Sequence, residues 1–273
     1  MSKPICVTCG VQYPDSAVPP PDCPICGDAR QYVGFGGQQW TTIEEIAAKH
    51  SNRIEQEEPN LHSIHTQPGF AIGQRAFLVQ TGAGNVLWDC VSLLDESTIA
   101  AIRALGGIQA IAISHPHYYS TMIDWSETFG GVPIYIHEAD ARWVMRPDPH
   151  VRFWPGASIE LPGSLTLICT PGHFDGFQVL RWPHGSERGG VLLSGDQPQV
   201  CMDPRWVSFM YSYPNFIPLS GASVRRIVEI LRPWKFDRIY GAFPHRTVRS
   251  DAKAVLQRSA ERYLAAIEGE LAR

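Results

Sequence analysis

The chain has 273 residues, 44% hydrophobic and 18% charged, with a formal net charge of −4. This is ordinary for a globular protein and long enough for one large domain plus a small module. It excludes a broad basic surface for nucleic acid and contains no apolar run long enough to span a membrane, and Met1-Ser2-Lys3-Pro4 leads straight into cysteines without a signal peptide, so a cytoplasmic protein is expected.

The first element is a pair of knuckles, Cys6-Val7-Thr8-Cys9-Gly10 and Cys23-Pro24-Ile25-Cys26-Gly27, with thirteen residues between Cys9 and Cys23. Two Cys-x-x-Cys-Gly turns offer four thiolates to one tetrahedral site, and the pair resembles a zinc ribbon or rubredoxin-type knuckle. The proline-rich stretch between them cannot build a core, so metal binding would supply most of the folding energy of a module over 1–38. Zinc is expected, with iron as the alternative. Its role would be structural support or a platform for a partner chain. Cys90, Cys169 and Cys201 are isolated and read as small core residues.

Residues 39–60 read as a short helix, with Thr41 and Glu44 as a capping box, followed by a polar linker. From Leu61 the pattern changes to short strands. Phe70–Ile72, Ala76–Gln80 and Asn85–Cys90 are separated by Gly73, Gly82 and Gly84. Asp95–Leu105 is a helix stopped by Gly106-Gly107. The apolar run Ile108–Ile113 then ends in Ser114-His115-Pro116-His117-Tyr118-Tyr119-Ser120. Pro116 keeps His115 extended, and residues two apart on an extended chain point the same way, so both imidazoles can face one metal ion. Helices over Ser120–Phe129 and Glu138–Met145 flank a strand at Pro133–His137.

Three later stretches also place a candidate ligand in a loop after a short strand. They are Thr170-Pro171-Gly172-His173, Ser194-Gly195-Asp196 and Gly241-Ala242-Phe243-Pro244-His245. Asn85-Val86-Leu87-Trp88-Asp89 does the same with a carboxylate. Between them, Asp203–Leu219 carries six aromatic or methionine side chains among three prolines. It is too proline-broken for a long helix and reads as a wall of the substrate pocket, the face of a homodimer, or packing on the knuckle. Helices over Ser220–Leu231 and Ser250–Leu271 close the chain.

By the order and spacing of these motifs, 61–273 resembles the metallo-beta-lactamase superfamily. The resemblance implies an α/β fold, a four-layer αβ/βα sandwich, with the zinc-knuckle module at its N-terminus. It implies that His115, His117 and His173 hold one metal ion with Asp196 beside it, that Asp89 supports a ligating imidazole, and that His245 is a further ligand. The family motif His-x-His-x-Asp-His is degenerate: Tyr119 and Ser120 stand at its last Asp and His. Hydroxyls are poor zinc ligands beside carboxylate and imidazole, so a single main-domain metal is expected, zinc or another divalent ion such as iron or manganese. The implied function is metal-dependent hydrolysis of an ester, lactone or similar bond in a small molecule. Asp196 would orient the water, and Tyr118 or Tyr119 would donate to a developing oxyanion. The alternatives are a metal-binding sensor or scaffold without turnover, and iron-dependent redox or oxygen chemistry.

Overall fold

The computed structural model describes residues 2–186 and 188–271. A seven-stranded sheet runs in chain order through Ser51–Glu58, Leu61–Gln67, Arg75–Val79, Val86–Trp88, Ala110–Ala112, Ile134–His137 and Val151–Trp154. The first three pairings are antiparallel and the last three parallel. A six-stranded sheet follows as Ser158–Leu161, Leu165–Cys169, Gln178–Trp182, Val191–Gly195, Arg238–Gly241 and Thr247–Val248, with one parallel pair between Val191–Gly195 and Arg238–Gly241.

Side chains alternate across a strand, so each central strand sorts its residues between two cores. Phe77, Val79, Trp88, Leu165, Leu167, Leu180, Trp182, Val191, Leu193 and Tyr240 pack together between the sheets. Their neighbours Ala76, Leu78, Leu87, Ile168, Val179, Leu192 and Ile239 face outward, towards helices that contribute Ile102, Met122, Trp125, Val224, Ile227, Val255 and Leu256. Two sheets face to face, with helices outside both, make the four-layer αβ/βα sandwich. Among the described residues no helix is long and apolar enough to cross a membrane.

Several local expectations are corrected. The stretch expected as linker within 39–60 contains the edge strand Ser51–Glu58, paired along Leu61–Gln67. Its sequence, Ser-Asn-Arg-Ile-Glu-Gln-Glu-Glu, is polar because an edge strand with exposed faces needs no apolar alternation. The helix in this region is only Ile43–Ala47, and Thr42 rather than Thr41 caps it. Phe70–Ile72 is no strand: Gly73 N–H donates to Phe70 O across a turn in which Ala71 has φ +51°. Glu138–Met145 tightens to a 3-10 segment, Glu138–Trp143. Asp203–Leu219 forms short strands at Val207–Ser208, Met210–Ser212 and Ile217–Pro218.

The knuckle pair is packed into the larger body. All four cysteines are buried in the outer core cluster. Gln12 N–H donates to Ser120 O at 3.0 Å, and Ser92 Oγ donates to Gly10 O at 2.9 Å. Gly10 has φ +79°, and a Cβ there would meet Ser92 Oγ at 2.3 Å, so this turn requires glycine. Lys3, Gln12 and Arg146 all donate to the Asp124 carboxylate.

Candidate metal centre

The strand Ala110–Ala112 delivers Ser114 and His115 to the rim of the sheets. His115 is extended (φ −168°, ψ 170°), as Pro116 requires. His117 is not on a continued strand: Pro116–Tyr118 is a 3-10 turn, and this turn brings the second imidazole beside the first. The ring centroids of His115 and His117 are 5.0 Å apart, and that of His173 lies 5.0 and 5.2 Å from them. Asp196 enters from the end of Val191–Gly195. Gly195 has φ +54°, and its missing Cβ leaves room for Ser114 Oγ, which a Cβ would meet at 2.7 Å.

One ligand atom each from His115, His117, His173 and Asp196 lies within 4.8 Å of the others, all four residues being buried. His115 Nε2 stands 3.4 Å from Asp196 Oδ2, and His173 Nε2 stands 3.4 Å from His117 Nδ1. Ligands about 2.0–2.1 Å from a tetrahedral cation are separated by about 3.3–3.4 Å, so these edges fit such an ion. Among the described residues His115 Nε2 has no hydrogen-bond partner. Burial pushes all three imidazoles below the ordinary histidine range, His173 to about 3, which keeps them neutral as ligands must be. Burial alone would raise the Asp196 carboxyl; His115, His173 and the Tyr118 hydroxyl outweigh it, and the net direction is down.

The orientations of His173 and His115 are fixed from behind. His173 Nδ1 faces the carbonyls of Tyr211 at 2.8 Å and Met210 at 3.1 Å, so Nδ1 carries the proton and Nε2 is free to ligate. The resemblance implied that Asp89 accepts directly from a ligating imidazole; instead Asp89, buried at φ +57°, reaches one only through Ser114. Its Oδ1 accepts from Ser114 N at 2.7 Å and Ser114 Oγ at 2.8 Å, and Ser114 Oγ lies 2.9 Å from His115 Nδ1. The serine hydroxyl thus donates to Asp89 and accepts from His115, leaving Nε2 as the lone pair. Burial pushes the Asp89 carboxyl up to about 8, against the two Ser114 bonds. Gln197 ties two ligand loops together: its Oε1 accepts from His173 N at 2.7 Å and its Nε2 donates to Thr170 O. Phe177 stacks on His115 at 4.9 Å, and Phe174 stands edge-on to His117 at 5.0 Å.

The remaining expected site residues are placed differently. Tyr118 Oη donates to Asp196 Oδ1 at 2.7 Å, so its hydroxyl holds the carboxylate and is not available to an oxyanion. Tyr119 is buried with its hydroxyl unpartnered, beside Val11, Gln12 and Met145 and away from the metal cavity. Ser120 Oγ donates to Cys90 O and accepts from Gln74 Nε2. His245, at φ +66° in a turn closed by Arg246 N–H to Phe243 O, is exposed and belongs to a different surface pocket; it joins none of the ligands. Phe243 lines the metal cavity in its place.

The cavity beside the ligands measures about 220 Å³. Its wall comes from His117, His173 and Asp196, from Gln199, Tyr213 and Pro214, and from Arg30, Gln31 and Tyr32 at the end of the knuckle unit. Tyr213 Oη donates to Asp196 O at 2.7 Å. The aromatic segment is therefore in part a pocket wall. Ser114 could have been suspected from its place beside His115; Gln197 and Arg30 carried no signal in the sequence.

A second cluster is formed by Cys6, Cys9, Cys23 and Cys26. The Cys6–Cys26 and Cys9–Cys23 sulfurs are 3.6 and 3.7 Å apart, too far for disulfides and suited to four thiolates around a cation. Tyr13 Oη donates to Cys23 Sγ at 3.2 Å and Gln38 Nε2 to Cys6 Sγ at 3.3 Å, both bonds that favour thiolate.

The chain is 50% identical over 269 residues to the uncharacterized protein YmaE of Bacillus subtilis (strain 168), covering 98% of this chain and 97% of that one. No family model matches. Among solved structures, the metallo-beta-lactamase DIM-1 exposed to ceftazidime is similar with a TM-score of 0.58 at 15% identity, over 80% of this chain and 98% of that one. A Cronobacter sakazakii metallo-beta-lactamase with a HARLDQ motif gives 0.54 at 18%, over 83% and 97%. The chemotaxis sensor ODP, solved as a peroxy diiron species, gives 0.54 at 19%, over 78% and 94%. At these identities the likeness establishes the metallo-beta-lactamase fold.

Proposed function

This chain belongs to one family with YmaE and has the metallo-beta-lactamase fold, and on that premise we propose that it is a hydrolase working with a single metal ion on an ester, lactone or similar bond of a small molecule. The observation that carries the reading is the convergence of His115 Nε2, His117 Nδ1, His173 Nε2 and Asp196 Oδ2 on one point at the wall of a cavity. A divalent ion bound there supplies a Lewis acid and acidifies its water to a pKa near ~7.

The chain's own residues do the rest. Asp196 presents Oδ2 to the ligand cluster while Tyr118 Oη holds Oδ1, so both carboxylate oxygens are engaged and the group is fixed in place at the cavity wall. The same bond argues for one ion. In a two-metal site the shared carboxylate turns its second oxygen to a second cation. Here that oxygen is held by a phenol whose own proton burial keeps in place. Gln199 Nε2 lies 3.4 Å from Asp196 Oδ1 on the cavity wall, where its amide can donate to a substrate carbonyl. Phe174 and Phe177 keep the imidazole side dry.

The test is elemental analysis together with turnover of a panel of esters and lactones. His117→Ala and His173→Ala are expected to lose the main-site metal and turnover together while the circular dichroism spectrum is kept. A His173→Ala protein with full metal and full turnover refutes the site. Metal-replete wild type that turns over nothing on the panel favours a sensor or scaffold, and iron as the retained metal favours redox chemistry.

A further inference from the structure

The residues that follow the second knuckle reach across to the metal cavity. Arg30, Gln31 and Tyr32 form part of its wall. The strap is tied down through its backbone: Ser212 Oγ donates to Arg30 O, and Asn215 Nδ2 donates to Ala29 O and Gln31 O, each at 3.0 Å. Arg30 is only 8% exposed. Its guanidinium lies over Phe174 at 4.4 Å and Tyr211 at 4.9 Å, and Phe174 is in turn packed against His117. Nη1 is bonded to Asp28 Oδ1 at 2.9 Å, while Nε is buried without a partner among the described residues.

We propose that Arg30, carried into the cavity wall by the four-cysteine unit, is the recognition group for a carboxylate-type anion on the substrate. The inference rests on the hydrolytic reading of the His115–His117–His173–Asp196 site and names its substrate class. Among the described residues lining the cavity, Arg30 is the one cation and Asp196 the one carboxylate. Three neutral imidazoles and one carboxylate around a divalent ion leave a net positive charge, so the metal and Arg30 together favour an anion. Asp28 answers only part of the guanidinium, which has five N–H donors in a planar fork suited to a carboxylate. Asp140, the other carboxyl that feels Arg30, is turned to Gly176 N–H at 2.9 Å and does not line the cavity. A buried guanidinium with an unmatched donor is costly to keep unless something completes it. Nε itself is sealed from solvent, so a substrate anion would meet the terminal edge of the fork, where Nη2 donates to no described residue.

The strap's anchors accept through backbone carbonyls, so replacing the Arg30 side chain leaves them intact. The experiment titrates benzoate and its neutral isostere benzamide into metal-replete full-length protein by calorimetry. In wild type, benzoate should bind at least about tenfold tighter. Arg30→Gln should cut that ratio by about tenfold, with Arg30→Lys in between because it keeps the charge and loses the fork. An unchanged ratio in Arg30→Gln, or no preference in wild type, overturns the inference. The comparison repeated in His117→Ala separates the two readings. A benzoate preference there that Arg30→Gln abolishes supports Arg30 even if the hydrolytic reading fails on turnover; a preference that His117→Ala alone abolishes belongs to the metal and refutes Arg30.

Discussion

Two adjacent buried tyrosines provide a controlled measurement of what holds Asp196. Tyr118 and Tyr119 are both at most 1% exposed, but only Tyr118 Oη has a partner, the Asp196 carboxylate at 2.7 Å. Tyr118→Phe keeps the ring, which stands 4.4 Å from the His115 ring, so no cavity forms and only the hydrogen bond is lost. Asp196 Oδ1 would then keep only Gln199 Nε2 at 3.4 Å. A hydrogen bond to a buried charge contributes about 1.5–3 kcal/mol. In a chain of this size that corresponds to a fall in Tm of roughly 3–5 °C. The same bond orients a metal ligand, and loss of such a bond typically weakens metal affinity roughly 10–100-fold. Tyr119→Phe removes a buried hydroxyl with no partner among the described residues and should leave stability unchanged or raise it by up to about 1–3 kcal/mol. The assays are urea unfolding and competitive zinc titration against a chromogenic chelator, both variants beside wild type. Equal effects of the two substitutions, or no effect of Tyr118→Phe on zinc affinity, would refute the reasoning.

Three further outcomes are expected. Cys9→Ser with Cys26→Ser should remove one tightly held metal per chain and destabilise the whole protein, since the knuckles lie in the common core; unchanged total metal by elemental analysis contradicts the four-thiolate site. Asp140 is pushed by burial from 3.8 to about 7. A carboxyl raised on folding favours the protonated folded state, so its cost is absent below about pH 4, grows through about pH 7 and is constant above, up to about 4 kcal/mol. Asp140→Asn, which keeps an acceptor for Gly176 N–H, should therefore raise Tm at pH 8 and leave it unchanged at pH 4, and a shift independent of pH would show that ionisation is not the cause. Tyr119→Asp with Ser120→His should fold without gaining a second main-domain zinc, because neither position faces the cavity and His245 is elsewhere; two zinc ions per main site by elemental analysis would contradict that placement.

The parts of the site legible in the sequence are those written locally. His115, His117, His173 and Asp196 each follow a short apolar strand, and parallel strand ends in a layered sheet bring such loops to one rim. What was misplaced depended on single backbone dihedrals. His245 sits at φ +66° in a tight turn, and a shift of two residues along that loop puts Phe243 in the cavity instead. The edge strand Ser51–Glu58 escaped notice because its exposed faces erase the apolar alternation by which a strand is recognised. Ser114, Gln197 and Arg30 act through partners that only folding selects. Gln197 reaches Thr170 and His173, and the Arg30 backbone is anchored by Ser212, which is 182 positions away.

That last contact bears on why a four-cysteine unit precedes this fold at all. If it served only as a spacer, its contacts would end at its own sulfurs. Instead, two elements meet over the cavity. The strap 28–32 follows the second knuckle, the segment 210–215 supplies Ser212 and Asn215 to hold that strap, and the same segment supplies the Met210 and Tyr211 carbonyls that orient His173. Tyr213 Oη, from the same segment, bonds the Asp196 backbone. The strap, the aromatic segment and the loops of His173 and Asp196 are thus joined by one run of hydrogen bonds, although the two clusters share no ligand.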